Sequence, residues 1–337
     1  MNNIIEYLES LSLDTTIIKL NNMNLVNLPD LSRFIKVTYL YCNDNQLIEL
    51  EKLPNTLIYL NCRNNKLTEL KYLPNILKKL VCNNNQIIEL KNLPNTLEEL
   101  DCSNNQIIEL KNLPNTLTYL NCNNNKLTKL KNLPNTLEKL VCNDNQIIEL
   151  KNFSIVLQQL DCSNNQIIEL KILPNTLTYL NCRDNKLIEL KNLPNKLIDL
   201  VCCKNQLKEL INLPNTLTTL YCRDNLLTKF KKLPNNLIEL SCVNNQLTEL
   251  NSLPNTIIYL NCRDNKLLFT ELYEILKINK FIKLYCNYKI FNFIFYNFIR
   301  KRCSKYKEEL VAKVFHPLKI FKYLNEFDDI DTFMKNI

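Results

Sequence analysis

The word L-P-N-T-L-x-x-L-x-C-x-x-N-x-L-x-E-L returns every 20 residues without slippage from about residue 40 to residue 268. Cysteine falls at Cys42, Cys62, Cys82 and onward to Cys262, twelve times in one register. Asparagine falls three places later, at Asn45, Asn65, Asn85 and onward to Asn265, also twelve times. A fixed period of this length is the signature of a solenoid, whose turns bury their apolar faces against one another. Such a chain has no single globular core, so its 337 residues do not count domains. Its function is to be sought on a long repetitive surface rather than in a catalytic pocket.

Glycine and tryptophan are absent. Tight turns that need positive φ must therefore use asparagine, the next most tolerant residue. Twelve of the 15 cysteines share one repeat position, where a small, readily buried side chain suits a core. The opening Met1-Asn2-Asn3 has neither a basic nor an apolar leader region, so no export signal is expected. No run of 18 uncharged apolar residues exists, so no membrane-spanning helix is expected either. Reduced, buried thiols in a cytoplasmic compartment follow. Strands stacked about 4.8 Å apart would still bring neighbouring cysteines within disulfide range.

In residues 53–72, Tyr59-Leu60-Asn61-Cys62-Arg63 alternates with period two, which predicts a short strand with Leu60 and Cys62 inward. Repeats this short place equivalent strands side by side in one parallel sheet. Leu57 and Leu67 complete the inward set. An inward amide without partners would cost about 1–3 kcal/mol. The regular Asn65, Asn85, Asn105, Asn125, Asn145, Asn165 and Asn185 are therefore expected to form a ladder of side-chain bonds to the backbone of their own and neighbouring turns. Pro74-Asn75 favours an extended or tight-turn return over a helix, so the other side should be thin.

L-x-x-L-x-C-x-x-N-x-L followed by L-x-x-L-P-N resembles the leucine-rich repeat, over roughly residues 15 to 270. The 20-residue length and the Leu-Pro dipeptide are similar to the short class of bacterial effectors. The asparagine-rich, glycine-free style with cysteine at the end of the strand resembles leucine-rich-repeat proteins of giant DNA viruses, of mimivirus type. This resemblance implies a repeat solenoid, a horseshoe with a parallel concave β-sheet and a thin convex side, acting without catalysis by binding a protein partner on the concave face. It also implies host cytoplasm if the chain is viral. Two departures stand out. Asn152-Phe153-Ser154-Ile155-Val156 replaces the usual N-L-P-N-T, and Leu28 to Leu40 is five residues longer than Leu53 to Leu60. Ile18, Leu20, Leu25 and Leu28 fit a weakened first repeat with Met23 where asparagine belongs, and Ile4, Ile5, Leu8 and Leu11 suggest a capping helix. The expected layout is a cap over 1–17, about thirteen repeats over 18–268, and a basic, aromatic-rich helical region over 269–337.

Two columns flank the strand and should line the concave face. One holds Tyr39, Tyr59, Lys79, Glu99, Tyr119, Lys139, Gln159, Tyr179, Asp199, Thr219, Glu239 and Tyr259. Its neighbour holds Tyr41, Asn61, Val81, Asp101, Asn121, Val141, Asp161, Asn181, Val201, Tyr221, Ser241 and Asn261. Tyrosine offers large contact area and a polar tip at low entropy cost. Tyr59, Tyr119, Tyr179 and Tyr259, with Tyr221 beside them, are the candidate protein-binding anchors. The competing explanation is copying: residues 51–110 and 111–170 read as duplicates of a three-repeat unit. The pairs Glu69/Lys71, Glu89/Lys91, Glu109/Lys111 and Glu149/Lys151 read as a solvated face.

After Leu267 the period stops. Apolar spacing suggests helices at Thr270–Ile278, Tyr288–Arg300, Tyr306–Val314 and Pro317–Phe327. From Ile275 to Lys313 ten Lys/Arg stand against two Glu, a net of +8. A cap over the last turn is the plainest role for this region. Its charge also suits nucleic acid or an acidic membrane, and a docking helix of a ubiquitin-ligase adaptor is a third role. Catalysis is not expected. The one histidine, His316, has no local signature near Cys286 or Cys303, and the vicinal Cys202-Cys203 has no second pair for a metal. Glycine loops for phosphate are impossible, and no cofactor is implied. The Cys-x-Asp triplets, such as Cys182-Arg183-Asp184, match the catalytic motif of effector ubiquitin ligases, but their cysteines point inward within the repeat.

Overall fold

The computed structural model describes residues 2–250, 253–267 and 283–285. They form one helix, α1 (Asn2–Ser10), followed by fourteen three-residue strands, β1 (Ile17–Lys19), β2 (Tyr39–Tyr41), β3 (Tyr59–Asn61) and so on to β13 (Tyr259–Asn261) and β14 (Lys283–Tyr285). Every strand pairs in parallel with its sequence neighbours, in the order β1 to β14. From β2 to β13 the register advances by one repeat per strand, Tyr59 opposite Lys79 and Leu60 opposite Leu80. Among the described residues the return segments carry turns and bends instead of helices. This is the solenoid of 20-residue turns with a thin outer side that the spacing predicts.

The ladder reaches beyond the three strand residues. Cys62 N–H donates to the Val81 carbonyl at 2.8 Å and Asn64 N–H to that of Asn83 at 3.0 Å, so each rung holds its neighbour on both sides of the cysteine. Leu57, Leu60, Cys62 and Leu67 are fully buried, and their equivalents along the array are all buried. The described cysteines form no disulfide, and the twelve in register are all buried.

The return is closed by a tight turn. In each P-N-T-L segment the leucine N–H donates to the proline carbonyl, as Leu117 to Pro114 at 3.1 Å. The threonine of the word bonds between turns: Thr116 Oγ1 donates to the carbonyls of Asn95 and Leu97 at 2.9 and 2.7 Å. Where Ser154 replaces proline the turn survives, with Leu157 N–H on the Ser154 carbonyl at 3.2 Å. The buried hydroxyl of Ser154 donates to the Asn135 carbonyl at 2.7 Å. The altered word therefore keeps both its turn and a bond to the preceding coil.

Three expectations need correction. Positive φ is not confined to asparagine: Asp44, Asp144, Asp184, Asp224 and Asp264 adopt it, and so do Lys52, Tyr72 and Lys204. The stacked coil imposes the backbone, so residues without asparagine's tolerance take on the strain. Ile172 and Lys232 depart from the pattern and avoid positive φ; β-branching accounts for Ile172 and not for Lys232. In the first coil, Ile18 pairs with Leu40, which aligns Leu28 with Leu50 and leaves two extra residues rather than five. Burial of Leu31, Phe34 and Val37 selects that register. In α1, Ile5 is 56% exposed, while Ile4, Tyr7 and Leu8, with Leu11 just beyond the helix, face the core. The Tyr7 hydroxyl accepts the Lys19 N–H at 3.4 Å, occupying part of the edge of β1 that would otherwise invite another strand.

β14 lies 24 residues after β13 and extends the sheet past the point where the period stops. The helices expected after residue 268, the basic segment 275–313 apart from Lys283–Tyr285, Cys286, Cys303 and His316 lie outside the described residues.

Candidate functional site

The outward residues of the strands form two unbroken columns on the sheet face. They alternate with buried leucine and cysteine because side chains on a strand point to opposite faces. Tyr59, Tyr119, Tyr179, Tyr221 and Tyr259 are all half-buried on this face. The structure does not gather them into one patch. Tyr59, Tyr119 and Tyr179 are separated by three strands each, hence by about 14 Å at a strand spacing of about 4.8 Å. A true aromatic cluster lies instead at the N-terminal end. The Tyr59 ring is 5.8 Å from that of Tyr39 and 5.2 Å from that of Tyr41, within the range of favourable ring pairs. Tyr39 and Tyr41 were visible in the columns, but the adjacency of three rings across β2 and β3 required the register.

Each anchor has a distinct electrostatic setting. Tyr119 lies beneath the Lys139 ammonium, 5.7 Å from its ring centroid. Burial raises the Tyr119 phenol pKa, and the charge of Asp101 raises it further. Tyr179 is raised by burial and then by Asp161 and Asp199. Tyr221 donates its hydroxyl to Glu239, and that bond, ahead of burial, pushes it up to about 12. Asp101 and Asp161 are held by neighbouring serines, Ser103 Oγ and Ser163 Oγ each donating at 2.7 Å. Asn181 Nδ2 adds a 3.1 Å bond to the second oxygen of Asp161.

The rigidity of this face comes from the asparagine column behind it. Asn125 Nδ2 donates to the carbonyls of Cys102 and Cys122, both at 3.1 Å, and of Asn123 at 3.2 Å. Its Oδ1 accepts the Ile107 N–H at 2.9 Å. Asn65, Asn85, Asn105, Asn145, Asn165 and Asn185 repeat the pair of bonds to their own and the preceding cysteine carbonyl. At the start, where Met23 interrupts the column, Asn45 Oδ1 accepts two N–H groups, those of Met23 and Leu25. A second, exposed amide row was missed at the sequence level. Asn84 donates to Asn64 and Asn124 to Asn104, each at 2.6 Å.

Burial pushes the Cys42, Cys122 and Cys242 thiols up to about 12, which suppresses the nucleophilic thiolate. Cys203, partly buried beside Cys202, is also raised by burial. Among the described residues no group of His, Cys, Asp and Glu could hold a metal ion. No described helix is long and apolar enough to cross a membrane. The outer charge column carries ion pairs such as Lys91–Glu89, Lys111–Glu109 and Lys151–Glu149, with exposed side chains.

No protein-family model and no curated protein sequence matches the chain. Solved structures do. YopM from Yersinia enterocolitica WA-314 is 33% identical with a TM-score of 0.60, covering 72% of this chain and 63% of that one. The leucine-rich effector protein YopM from Yersinia pestis is 31% identical with a TM-score of 0.65, covering 74% and 78%. The functional domain of InlJ from Listeria monocytogenes, which includes a cysteine ladder, is 32% identical with a TM-score of 0.70, covering 81% and 64%. This chain thus spans a little under two thirds of the Y. enterocolitica and Listeria structures. The shared parallel coil, with identity above 30% over most of the Y. pestis protein, means that the chain belongs to the leucine-rich-repeat family.

Proposed function

We propose that the chain is a non-enzymatic interaction module that binds a protein partner on its sheet face, with Tyr59, Tyr119, Tyr179, Tyr221 and Tyr259 as anchors. The observation that carries this reading is the row of half-buried tyrosines held on one continuous parallel sheet. A face braced rung by rung presents its side chains without an ordering cost at binding. Half-buried tyrosines supply the area and polar tips on which binding energy concentrates. The buried thiols and the giant-virus style of the repeat favour action in a host cytoplasm.

Capture of partners from host lysate by the full chain, compared with a Tyr119→Ala/Tyr179→Ala double variant, tests the reading. Each substitution is expected to weaken a captured protein by about tenfold or more, with an unchanged melting profile because both side chains point away from the core. Equal capture by both forms would refute the sheet face as the binding surface.

A further inference from the structure

The regular tyrosine column supplies an internal control. Of the four anchors in one column, three are in register with a lysine on the next strand: Tyr59 with Lys79, Tyr119 with Lys139, Tyr259 with Lys283. Tyr179 alone is in register with a carboxylate, Asp199. At Tyr119 the lysine lies over the ring at cation–π distance. The repeat thus has a place above its tyrosine that a cation can occupy, and at Tyr179 no described residue fills it.

The surroundings of Tyr179 are negative instead. Asp161 lies on β8 (Gln159–Asp161) and Asp199 on β10 (Asp199–Val201), either side of Tyr179 on β9 (Tyr179–Asn181). Neither aspartate forms an ion pair among the described residues, and the bonds to Asp161 come from neutral donors. Arg183, one position beyond the strand columns, pairs with neither. In the two outward columns from β8 to β12 (Glu239–Ser241) there are three carboxylates, Asp161, Asp199 and Glu239, and no lysine or arginine. Those carboxylates stand on a chain whose formal net charge is +8. A tyrosine face between two uncompensated carboxylates matches a guanidinium or ammonium, which gains the ring quadrupole and charge-assisted hydrogen bonds together.

We propose that Tyr179, Asp161 and Asp199 form a seat for a cationic side chain, arginine or lysine, presented by the protein partner. This rests on the sheet face being the binding surface and names the partner's chemistry at its centre. It also bears on the copying explanation, because Asp199 stands where the units over 51–110 and 111–170 carry Lys79 and Lys139.

The test uses the full chain with ring-labelled tyrosine, assigned by single Tyr→Phe variants and followed by NMR. The probes are acetyl-Gly-Arg-Gly-amide and its Lys, Glu and Leu analogues. The Arg and Lys peptides are expected to shift the Tyr179 resonance saturably, and the Glu peptide to leave it in place. Asp199→Lys, which recreates the pair found at Tyr119, should weaken the Arg peptide at least tenfold. Asp199→Asn should weaken it less, and both variants should keep the far-ultraviolet circular dichroism of the parent. No shift at Tyr179, or the same affinity in Asp199→Lys, overturns the seat. Shifts of sheet tyrosines by the Glu or Leu peptide alone would also overturn it while leaving the sheet face as the binding surface. That wider reading fails separately, if the double tyrosine variant captures partners as well as the parent.

Discussion

Replacing Asn125 by alanine tests whether the inner amide column holds the coil together. Four bonds are lost, but their consequences differ. The Cys102 and Cys122 carbonyls keep a second amide donor, from Asn105 and Asn145 respectively, and the Asn123 carbonyl keeps the Asn104 N–H. The Ile107 N–H has Asn125 Oδ1 as its partner and is left unpaired in the interior. An orphaned buried donor costs about 1–3 kcal/mol, and the three Nδ2 bonds, whose acceptors each keep another donor, add about 1 kcal/mol together. A loss of about 2–4 kcal/mol is expected. The neighbouring Asn124→Gly is the control. Asn124 is exposed with φ of 48°, a backbone that glycine adopts without strain, so its effect should stay within about 0.5 kcal/mol. Urea unfolding followed by circular dichroism reads the midpoints, and native-state hydrogen exchange reads the site. In Asn125→Ala the Ile107 amide should lose protection, while Leu127, held by Asn145 at 2.9 Å, retains it. A loss below about 0.5 kcal/mol with Ile107 still protected would refute the reasoning, since it would fall short of the smallest cost of an orphaned donor.

The cysteine row should make stability fall above pH 9. Burial raises Cys42, Cys122 and Cys242 from 9.0 to about 12, so between those values the unfolded chain has released thiol protons that the folded chain retains. The unfolded state then binds fewer protons and stability declines as pH rises. Urea midpoints that stay flat to pH 11 would contradict this. At pH 8 an aromatic disulfide reagent should label the register cysteines only after denaturant is added. Tyr72→Asn should raise stability by about 0.5–1 kcal/mol, because Tyr72 is 87% exposed and held at φ of 56°, a region asparagine tolerates better. An unchanged or lower urea midpoint would show that the Tyr72 backbone is not strained.

Much of this architecture is legible in the residues because it rests on spacings within one turn. The alternation around Leu60 and Cys62 gives the inward pair, and the period of 20 makes equivalent strands neighbours. Pro74-Asn75 favours an extended or tight-turn return over a helix, and an inward amide at Asn65 demands partners. The two outward columns follow from the same alternation, so the candidate face could be written down residue by residue. Its internal grouping could not. Tyr39, Tyr41 and Tyr59 meet only because β2 and β3 are in register, while Tyr59, Tyr119 and Tyr179 stay three strands apart.

The sequence by itself determined the repeat, the buried leucines and cysteines, the inward asparagines and the outward columns, since each depends on a local period of two or a repeat of 20. Only the stacked structure decided what happens between turns. It put Lys52, Tyr72 and Lys204 at positive φ, fixed the first coil by burying Leu31, Phe34 and Val37, and added β14 beyond the last full word. It also set Asp199 beside Tyr179 where the other copies set a lysine. These features arise from contacts across rungs, where one coil imposes its backbone and charges on the next, and a pattern read along the chain does not contain them.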